Sequence, residues 1–370
     1  MNKALLLLTA LTLLPGCSLS AIAQSTARWG DAGYNWVGDF DGNGFDDVAS
    51  AHPDGTMTMH LSNGRWFTSE TWTGPTEWGG SNYTWAEDFD GDGKTDLVSA
   101  LENRIFIHLA REGEFQSSTQ LTPGRWGEPG YNWAGDFNGD GRMDLASAHP
   151  DGTLSMRLFD GSEFAEETWT VPTAWGGGRY SWAADFDGNG TTDLASALEN
   201  SLFLHLSDGS QFDSTTYTTG QWGDPGYNWT GDFDGNGLID LASAFPNGTV
   251  EVRFFDGSDF TSEILPISTP WGGSTYTWAA DFDGDGLTDF VSALETNTFV
   301  HFTRDRAFDS QTLAIAQWGD PGYNWAGDFN GDGMTDLLSV LQDTSLSMRL
   351  ATGDGLDVLI WSDSLALTNY

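Results

Sequence analysis

Short runs in which apolar and polar residues trade places, such as Thr56-Met57-Thr58-Met59-His60-Leu61, follow one another from Trp29 onward, each bounded by Gly- and Asp-rich stretches. Runs this short, punctuated by turn residues, predict β-strands rather than helices. In the first unit one strand covers the stretch through Tyr34 to Phe40, and a second covers Asp47 to Ala51. An Asp54-Gly55 turn, matched by Asp151-Gly152 and Asn247-Gly248, has hairpin chemistry and leads into a third strand. A fourth strand carries a recurrent apolar position at Phe67, Phe115, Phe164, Phe212, Phe260, Phe308 and Leu356.

The runs are periodic. The segment Trp-Gly-x-x-x-Tyr-x-Trp begins at Trp29, Trp78, Trp126, Trp175, Trp222, Trp271 and Trp318, with spacings of 47 to 49 residues, and the seventh copy runs to Tyr370. Four strands per repeat of this length is the pattern of a propeller blade. The prediction is an all-β, seven-bladed β-propeller with four-stranded blades, forming one domain over residues 24–370. Copies one, three, five and seven read Trp-Gly-(Asp/Glu)-(Pro/Ala)-Gly-Tyr-Asn-Trp, and the even copies read Trp-Gly-Gly-x-x-Tyr-(Thr/Ser)-Trp, so two blades of the first type must meet where the ring closes.

Between the first and second strands every copy carries Asp-Phe-(Asp/Asn)-Gly-(Asp/Asn)-Gly-x-x-Asp. Side-chain oxygens stand at positions 1, 3, 5 and 9: Asp39, Asp41, Asn43 and Asp47; Asp88, Asp90, Asp92 and Asp96; Asp136, Asn138, Asp140 and Asp144; Asp185, Asp187, Asn189 and Asp193; Asp232, Asp234, Asn236 and Asp240; Asp281, Asp283, Asp285 and Asp289; Asp328, Asn330, Asp332 and Asp336. A backbone carbonyl at position 7 completes a set of hard oxygen ligands of the kind Ca²⁺ prefers. The residues there, Phe45, Lys94, Arg142, Thr191, Leu238, Leu287 and Met334, share no side-chain chemistry, as expected where the carbonyl alone is used. An EF-hand loop begins in the same way but ends in Glu at position 12. Here that position is serine throughout: Ser50, Ser99, Ser147, Ser196, Ser243, Ser292 and Ser339. Up to seven structural Ca²⁺ ions are the expectation, against metal-free Asp-Gly turns as the plainer alternative.

Composition narrows the partners. The 370 residues carry 14 Lys+Arg against 54 Asp+Glu, a formal charge of −40. A nucleic-acid backbone or an anionic membrane surface needs clustered Lys and Arg, so both are excluded. An aromatic content of 14% also argues against a disordered acidic chain.

At the amino end, residues 1–23 read as a signal peptide: Lys3 supplies the positive charge and Ala4 to Leu14 the apolar stretch. Two cleavage readings compete. Ala21-Ile22-Ala23 is a small-x-small site, whereas Leu14-Pro15-Gly16-Cys17 resembles a bacterial lipobox that would lipidate Cys17, the single cysteine. The expected location is outside the cell or at its surface, with an outer-membrane lipoprotein as the lipidated variant. No other apolar run reaches the ~20 residues of a membrane-spanning helix.

Tandem Asp-x-Asp-Gly-(Asp/Asn)-Gly-x-x-Asp loops on repeats of this length resemble the FG-GAP/VCBS family, which includes the integrin α-chain propeller and a seven-bladed fungal lectin. The resemblance covers Trp29 to Tyr370 and implies calcium at Asp39, Asp41, Asn43 and Asp47 and their six equivalents. Members include lectins, adhesion proteins and propellers attached to enzymes, so the resemblance carries fold further than function. The Trp-Gly-x-x-x-Tyr-x-Trp segment is not a general part of the family pattern.

Candidate ligand groups come from that segment and from one further column. The second Trp of each copy (Trp36, Trp85, Trp133, Trp182, Trp229, Trp278 and Trp325) sits within the innermost strand and reads as a wedge between blades. The first Trp of each copy and the tyrosines Tyr34, Tyr83, Tyr131, Tyr180, Tyr227, Tyr276 and Tyr323 fall in a Gly-rich connection at one rim, where aromatics could stack on a sugar ring or pack blade to blade. His60, His108, Arg157, His205, Arg253, His301 and Arg349 share one third-strand position, readable as pairing with the adjacent blade or as donors to a sugar. Glu102, Glu199 and Glu295 recur in even copies and read as turn residues.

Catalysis needs an asymmetric set of groups. No copy carries an insertion, and His52 and His149, present in two copies, would be the first residues of a polysaccharide lyase to examine. Repetition favours multivalent binding. The functional expectation is an exported, calcium-stabilised propeller that binds glycans or polysaccharide at repeated pockets near blade junctions. A protein-binding adhesion propeller is the alternative, and an enzyme the third reading.

Overall fold

Chain direction reverses at each of the Gly- and Asp-rich turns, and the result in every repeat is one antiparallel four-stranded sheet made from consecutive strands. A computed structural model describes residues 29–73, 78–79, 81–122, 124–171, 175–267, 271–294, 296–314 and 317–361. The leader expected at 1–23, Cys17 and Glu295 lie outside the described residues. In the first blade the strands are β1 (Asn35–Gly38), β2 (Asp47–Ala51), β3 (Thr56–Ser62) and β4 (Phe67–Thr73), paired in that order. Six further sheets repeat the arrangement, giving the seven-bladed β-propeller that the periodicity predicted. Among the described residues helix is confined to two single 3₁₀ turns, Ser81–Tyr83 and Ser274–Tyr276, and no helix is long and apolar enough to cross a membrane.

β1 is shorter than the predicted stretch because Asp39 leaves the ladder: its carboxylate accepts the amides of Gly42 and Gly44 and folds the chain into the loop. Strand register then sets which side chains share a face. Val48 pairs with His60, and His60 with Ser69, so one face of the sheet carries the basic column between the second and fourth strands. The turns Glu102 and Glu199 adopt φ of +55°, as two-residue hairpin residues.

Among the described residues each sheet consists of four consecutive strands and shares none with its neighbours, so side-chain and loop contacts join the blades there. They do so in three layers. The second Trp of each blade packs on the first Trp of the next at 5.2–5.7 Å between ring centroids, including Trp325 on Trp29 where the ring closes. Six of the tyrosines donate their hydroxyls to the carbonyl of the Trp-Gly glycine in the next blade, for example Tyr227 to Gly272 at 3.2 Å and Tyr323 to Gly30 at 3.1 Å. On the opposite side, the amides of Thr95, Thr192, Thr288, Thr335 and Asp46 donate to the carbonyl of the position-1 Asp of the preceding blade, at 2.6–2.9 Å. Phe40, Phe89, Phe137, Phe186, Phe233, Phe282 and Phe329, each from an acidic loop, fill the core between these layers.

Close approach at the loops has a steric condition. A Cβ on Gly231, at the end of the fifth blade's first strand, would lie 2.3 Å from Thr288 Oγ1 of the sixth blade. Even blades carry Glu87, Ala184 and Ala280 at this position, so a Cβ is accepted at other junctions, whereas at Gly231 the Thr288 side chain fills its place. Gly231→Ala is therefore expected to destabilise the protein by about 1–3 kcal/mol through overpacking, read as a lower urea midpoint with an unchanged slope. An unchanged midpoint would contradict this packing.

Candidate functional site

The strand order places two chemistries on opposite faces of the ring. Acidic loops and third-to-fourth-strand hairpins share one face; Trp-Gly connections and second-to-third-strand hairpins share the other.

On the first face each loop is organised by its own carboxylates. Asp39 Oδ1 and Oδ2 accept the Gly42 and Gly44 amides at 2.7 and 2.8 Å, and Asn43 Oδ1 accepts the Phe45 amide at 2.8 Å. Glycines at positions 4 and 6 take φ between +73° and +89°, a region that favours glycine. Position 9 is different, because Asp47, Asp96, Asp144, Asp193, Asp240, Asp289 and Asp336 are all 0% exposed. Asp47 ties the sheet together by accepting the Ser62 amide at 2.7 Å and the Phe40 amide at 3.0 Å. Burial pushes its carboxyl up to about 8 and the other six up to about 7, with the neighbouring aspartates adding to the rise.

This donor set fits a hard divalent cation. Carboxylate oxygens of three aspartates converge within 4.8 Å in five loops: Asp39, Asp41 and Asp47; Asp88, Asp90 and Asp96; Asp185, Asp187 and Asp193; Asp232, Asp234 and Asp240; Asp281, Asp283 and Asp285. In the third and seventh blades Asn138 and Asn330 replace one carboxylate with an amide oxygen. Asp336 Oδ2 is buried with no hydrogen-bond partner, an orphaned acceptor that a cation would satisfy.

Position-7 side chains do more than the sequence suggested. Lys94, Thr191, Leu287, Met334 and Phe45 pack over the position-4 glycine of the preceding blade's loop, so each of those loops is covered by its neighbour. Sequence reasoning also missed three arginines on this face. Arg111 pairs with Asp90 and Asp92, Arg304 with Asp283 and Asp285, and Arg306 reaches from the sixth blade to Asp234 and Glu263 of the fifth. Aligning the residue three past the basic column across the repeats would have found the first two.

The basic column proves to be interior. His60, His108, Arg157, His205, Arg253, His301 and Arg349 are 0–1% exposed, which takes them away from any surface a saccharide could reach. The imidazoles lie against Trp29, Trp78, Trp175 and Trp271 at 3.8–5.0 Å, and the guanidiniums over Trp126, Trp222 and Trp318 at 3.5–4.0 Å. Among the described residues each His Nδ1 meets a fourth-strand serine of its own blade, and the arginines bond Ser147, Ser243 and Ser339 of theirs. Burial lowers the imidazoles of His108 to about 3 and of His205 and His301 to about 4, so they are neutral at physiological pH.

This arrangement also redefines the first Trp. Each of these indoles packs against the preceding blade's Trp and against its own blade's His or Arg, which makes it a junction residue that stays only partly buried. The second face of the ring instead presents a cleft of about 350 Å³ at the junction of the fifth and sixth blades, lined by Asp224, Tyr227, Phe245, Pro246, Trp271 and Gly272 among others. Asp224 is exposed, and Tyr227 contributes its ring while its hydroxyl is held by Gly272. In the first and third blades the Phe245 position is His52 and His149, whose Nε2 atoms lie 2.7 and 2.8 Å from Thr58 and Ser155 hydroxyls.

Comparison with known proteins agrees with this architecture. The fold is similar to that of a lectin from Agrocybe aegerita described as recognising non-reducing terminal N-acetylglucosamine, with a TM-score of 0.64 and 18% identity over 76% of this chain and 79% of the lectin. It is also similar to BBS1N, solved in complex with ARL6DN, with a TM-score of 0.53 and 10% identity over 89% of this chain and 94% of that one. No curated protein sequence matches the chain. The FG-GAP-like repeat profile matches residues 39–99, 88–147, 136–196 and 232–292, more than half of the sequence, and the chain therefore belongs to the FG-GAP-like repeat family.

Proposed function

We propose that this protein is an exported, calcium-stabilised propeller that binds carbohydrate in clefts between blades, on the face opposite its metal loops. The cleft between Tyr227, Phe245, Pro246 and Trp271 carries the reading: it is apolar on its walls, with the Asp224 carboxylate at its edge as an acceptor for sugar hydroxyls or an amide N–H. A few placed polar groups in an aromatic-lined cleft is the usual composition of a small-molecule site. The fold shared with a lectin that recognises terminal N-acetylglucosamine supports the choice of ligand class. Leu198 and Leu294, 45% and 44% exposed on hairpins of the same face, favour a protein partner as the second reading.

Calcium has a structural role in this reading. The loops would hold it through the oxygens of positions 1, 3, 5 and 9 and the position-7 carbonyl, neutralising aspartates that the fold buries. Extracellular calcium modules bind with dissociation constants of ~10⁻⁴ to 10⁻³ M, so a site at the tight end adds roughly 1.4 kcal/mol at millimolar calcium. An exported chain meets such concentrations.

Without cation, the position-9 carboxyls favour the folded state in their protonated form; that contribution is fully present below about pH 4 and is lost as pH rises through about 7, or 8 for Asp47. Cation binding requires the ionised form, so the gain in melting temperature on adding calcium in place of a chelator should grow steadily between pH 5 and pH 8. A gain that is absent or independent of pH would contradict the metal reading.

For the cleft, the acidic residue of each odd-blade connection is exposed and outside the junction stacks. A variant combining Asp31→Asn, Glu128→Gln, Asp224→Asn and Asp320→Asn should keep its melting temperature and lose affinity for N-acetylglucosamine by about tenfold in calorimetric titration, the loss of one charge-assisted hydrogen bond per site. Absence of any saccharide binding by the parent protein on a glycan array, with capture of a protein partner retained, would overturn the carbohydrate reading.

A further inference from the structure

Three residues past the basic column, at or just beyond the end of the third strand, stand Asn63, Arg111, Asp160, Asp208, Asp256, Arg304 and Thr352 in blades one to seven. The two arginines fall in the second and sixth blades, the two whose loops carry Asp at all four side-chain positions. The other five loops carry three Asp and one Asn. Over the four side-chain positions alone, the arginine brings each four-Asp set from −4 to −3, the charge of those positions in the other five blades.

Geometry explains the coincidence. In the first, fourth and fifth blades the position-5 amide bonds directly to the carbonyl that ends the third strand: Asn43 to Ser62 at 2.9 Å, Asn189 to Ser207 at 3.0 Å and Asn236 to Phe255 at 2.8 Å. Asp at position 5 has no N–H to donate; in the third and seventh blades that carboxylate is met by Arg142 at 3.5 Å and by the position-3 amide of Asn330 at 2.9 Å, groups that the four-Asp loops lack at those positions. In the second blade Arg111 Nη1 supplies it, donating to the Ala110 carbonyl at 2.7 Å and to Asp92 Oδ2 at 2.7 Å, while Nη2 donates to Asp90 Oδ2. In the sixth blade Arg304 Nη1 donates to the Thr303 carbonyl at 3.0 Å and to Asp285 Oδ2 at 2.6 Å, while Nη2 donates to Asp283 Oδ2. Ala110 and Thr303 occupy the same position as Ser62, so one guanidinium replaces the missing amide and spans positions 3 and 5. The paired Asp90 and Asp283 side chains are only 10% and 1% exposed, against 33% and 43% for Arg111 and Arg304, so solvent screening is reduced on the carboxylate side of each pair.

From this we infer that Arg111 and Arg304 are tethered cations that hold the loops of the second and sixth blades in shape without metal. The proposal rests on the metal reading above. A divalent ion entering either loop takes the position-3 and position-5 oxygens from the guanidinium, so these two blades form a weaker class of calcium site. Dependence on calcium is concentrated in the loops without this two-position bridge; in the fifth blade Arg306 meets position-3 Asp234 alone and leaves position 5 to Asn236, so the ring keeps two self-supporting blades when the ion is scarce.

The test is Arg111→Gln with Arg304→Gln in the full-length protein, followed by thermal unfolding in chelator and in saturating calcium and by calorimetric calcium titration. The parent should show two affinity classes. The variant should melt several degrees lower in chelator, change little in saturating calcium, and bind calcium about tenfold more tightly at the weak class, the effect of removing a competing cation. Arg111→Lys with Arg304→Lys, which keeps the charge, should recover most of the melting temperature in chelator. An equal loss in both conditions, including failure to fold even with calcium, would make the arginines ordinary structural ion pairs and overturn the inference, as would no change in either. If calcium neither binds nor stabilises the parent, it is the metal reading that fails.

Discussion

Seven aspartates, one per blade, end the acidic loops with side chains that the fold shields completely from solvent. Moving a carboxylate out of water is costly unless it is neutralised, and the backbone amides each side chain accepts, two in six blades and one at Asp336, offset only part of that cost. Those same amides knit the loop to the third strand, so the carboxylate cannot leave without opening the blade. A proton or a cation can meet that cost, and under the proposed calcium reading a cation accounts for the rest of the loop's design: oxygens at fixed spacing, glycines where the chain turns left-handed, and arginines where a fourth aspartate adds charge.

Blade-to-blade adhesion solves a separate problem. A sheet that shares no strand with its neighbours needs side chains to bridge the gap, and each junction supplies a stack of Trp, Trp and a buried His or Arg. The imidazole and guanidinium serve as flat partners for the indole. Depressed by burial to about 9 or 10, the guanidiniums of Arg157, Arg253 and Arg349 still carry their charge at neutral pH, which favours their seats on aromatic faces. Beside this stack lies the cleft of the proposed binding reading, where Tyr227 and Phe245 line the opening and Asp224 supplies charge.

The architecture was legible in the sequence because its signals are local and repeated: turn residues at fixed offsets, one apolar position per fourth strand, and an acidic loop whose spacing is itself the geometry of a cation site. The features that stayed open depend on which side of a strand faces a neighbour. A basic residue in every third strand reads equally well as a surface donor or an interior partner, and only the register that sets His60 between Val48 and Ser69, with Trp29 stacked over it, decides for the interior. The role of Arg111 was invisible for another reason. Its partners lie 19 and 21 residues away, and its meaning emerges only when its blade is set beside one with Asn at position 5.

The central claim is that one ring separates a metal face that stabilises from a cleft face that binds. A crystal structure grown with calcium and N-acetylglucosamine tests both halves together. The account predicts calcium within the acidic loops, coordinated through the ninth-position aspartates, and saccharide against Tyr227 and Phe245 with a hydroxyl or amide on Asp224. Loops filled with water at saturating calcium, or saccharide bound only on the metal face, would contradict it.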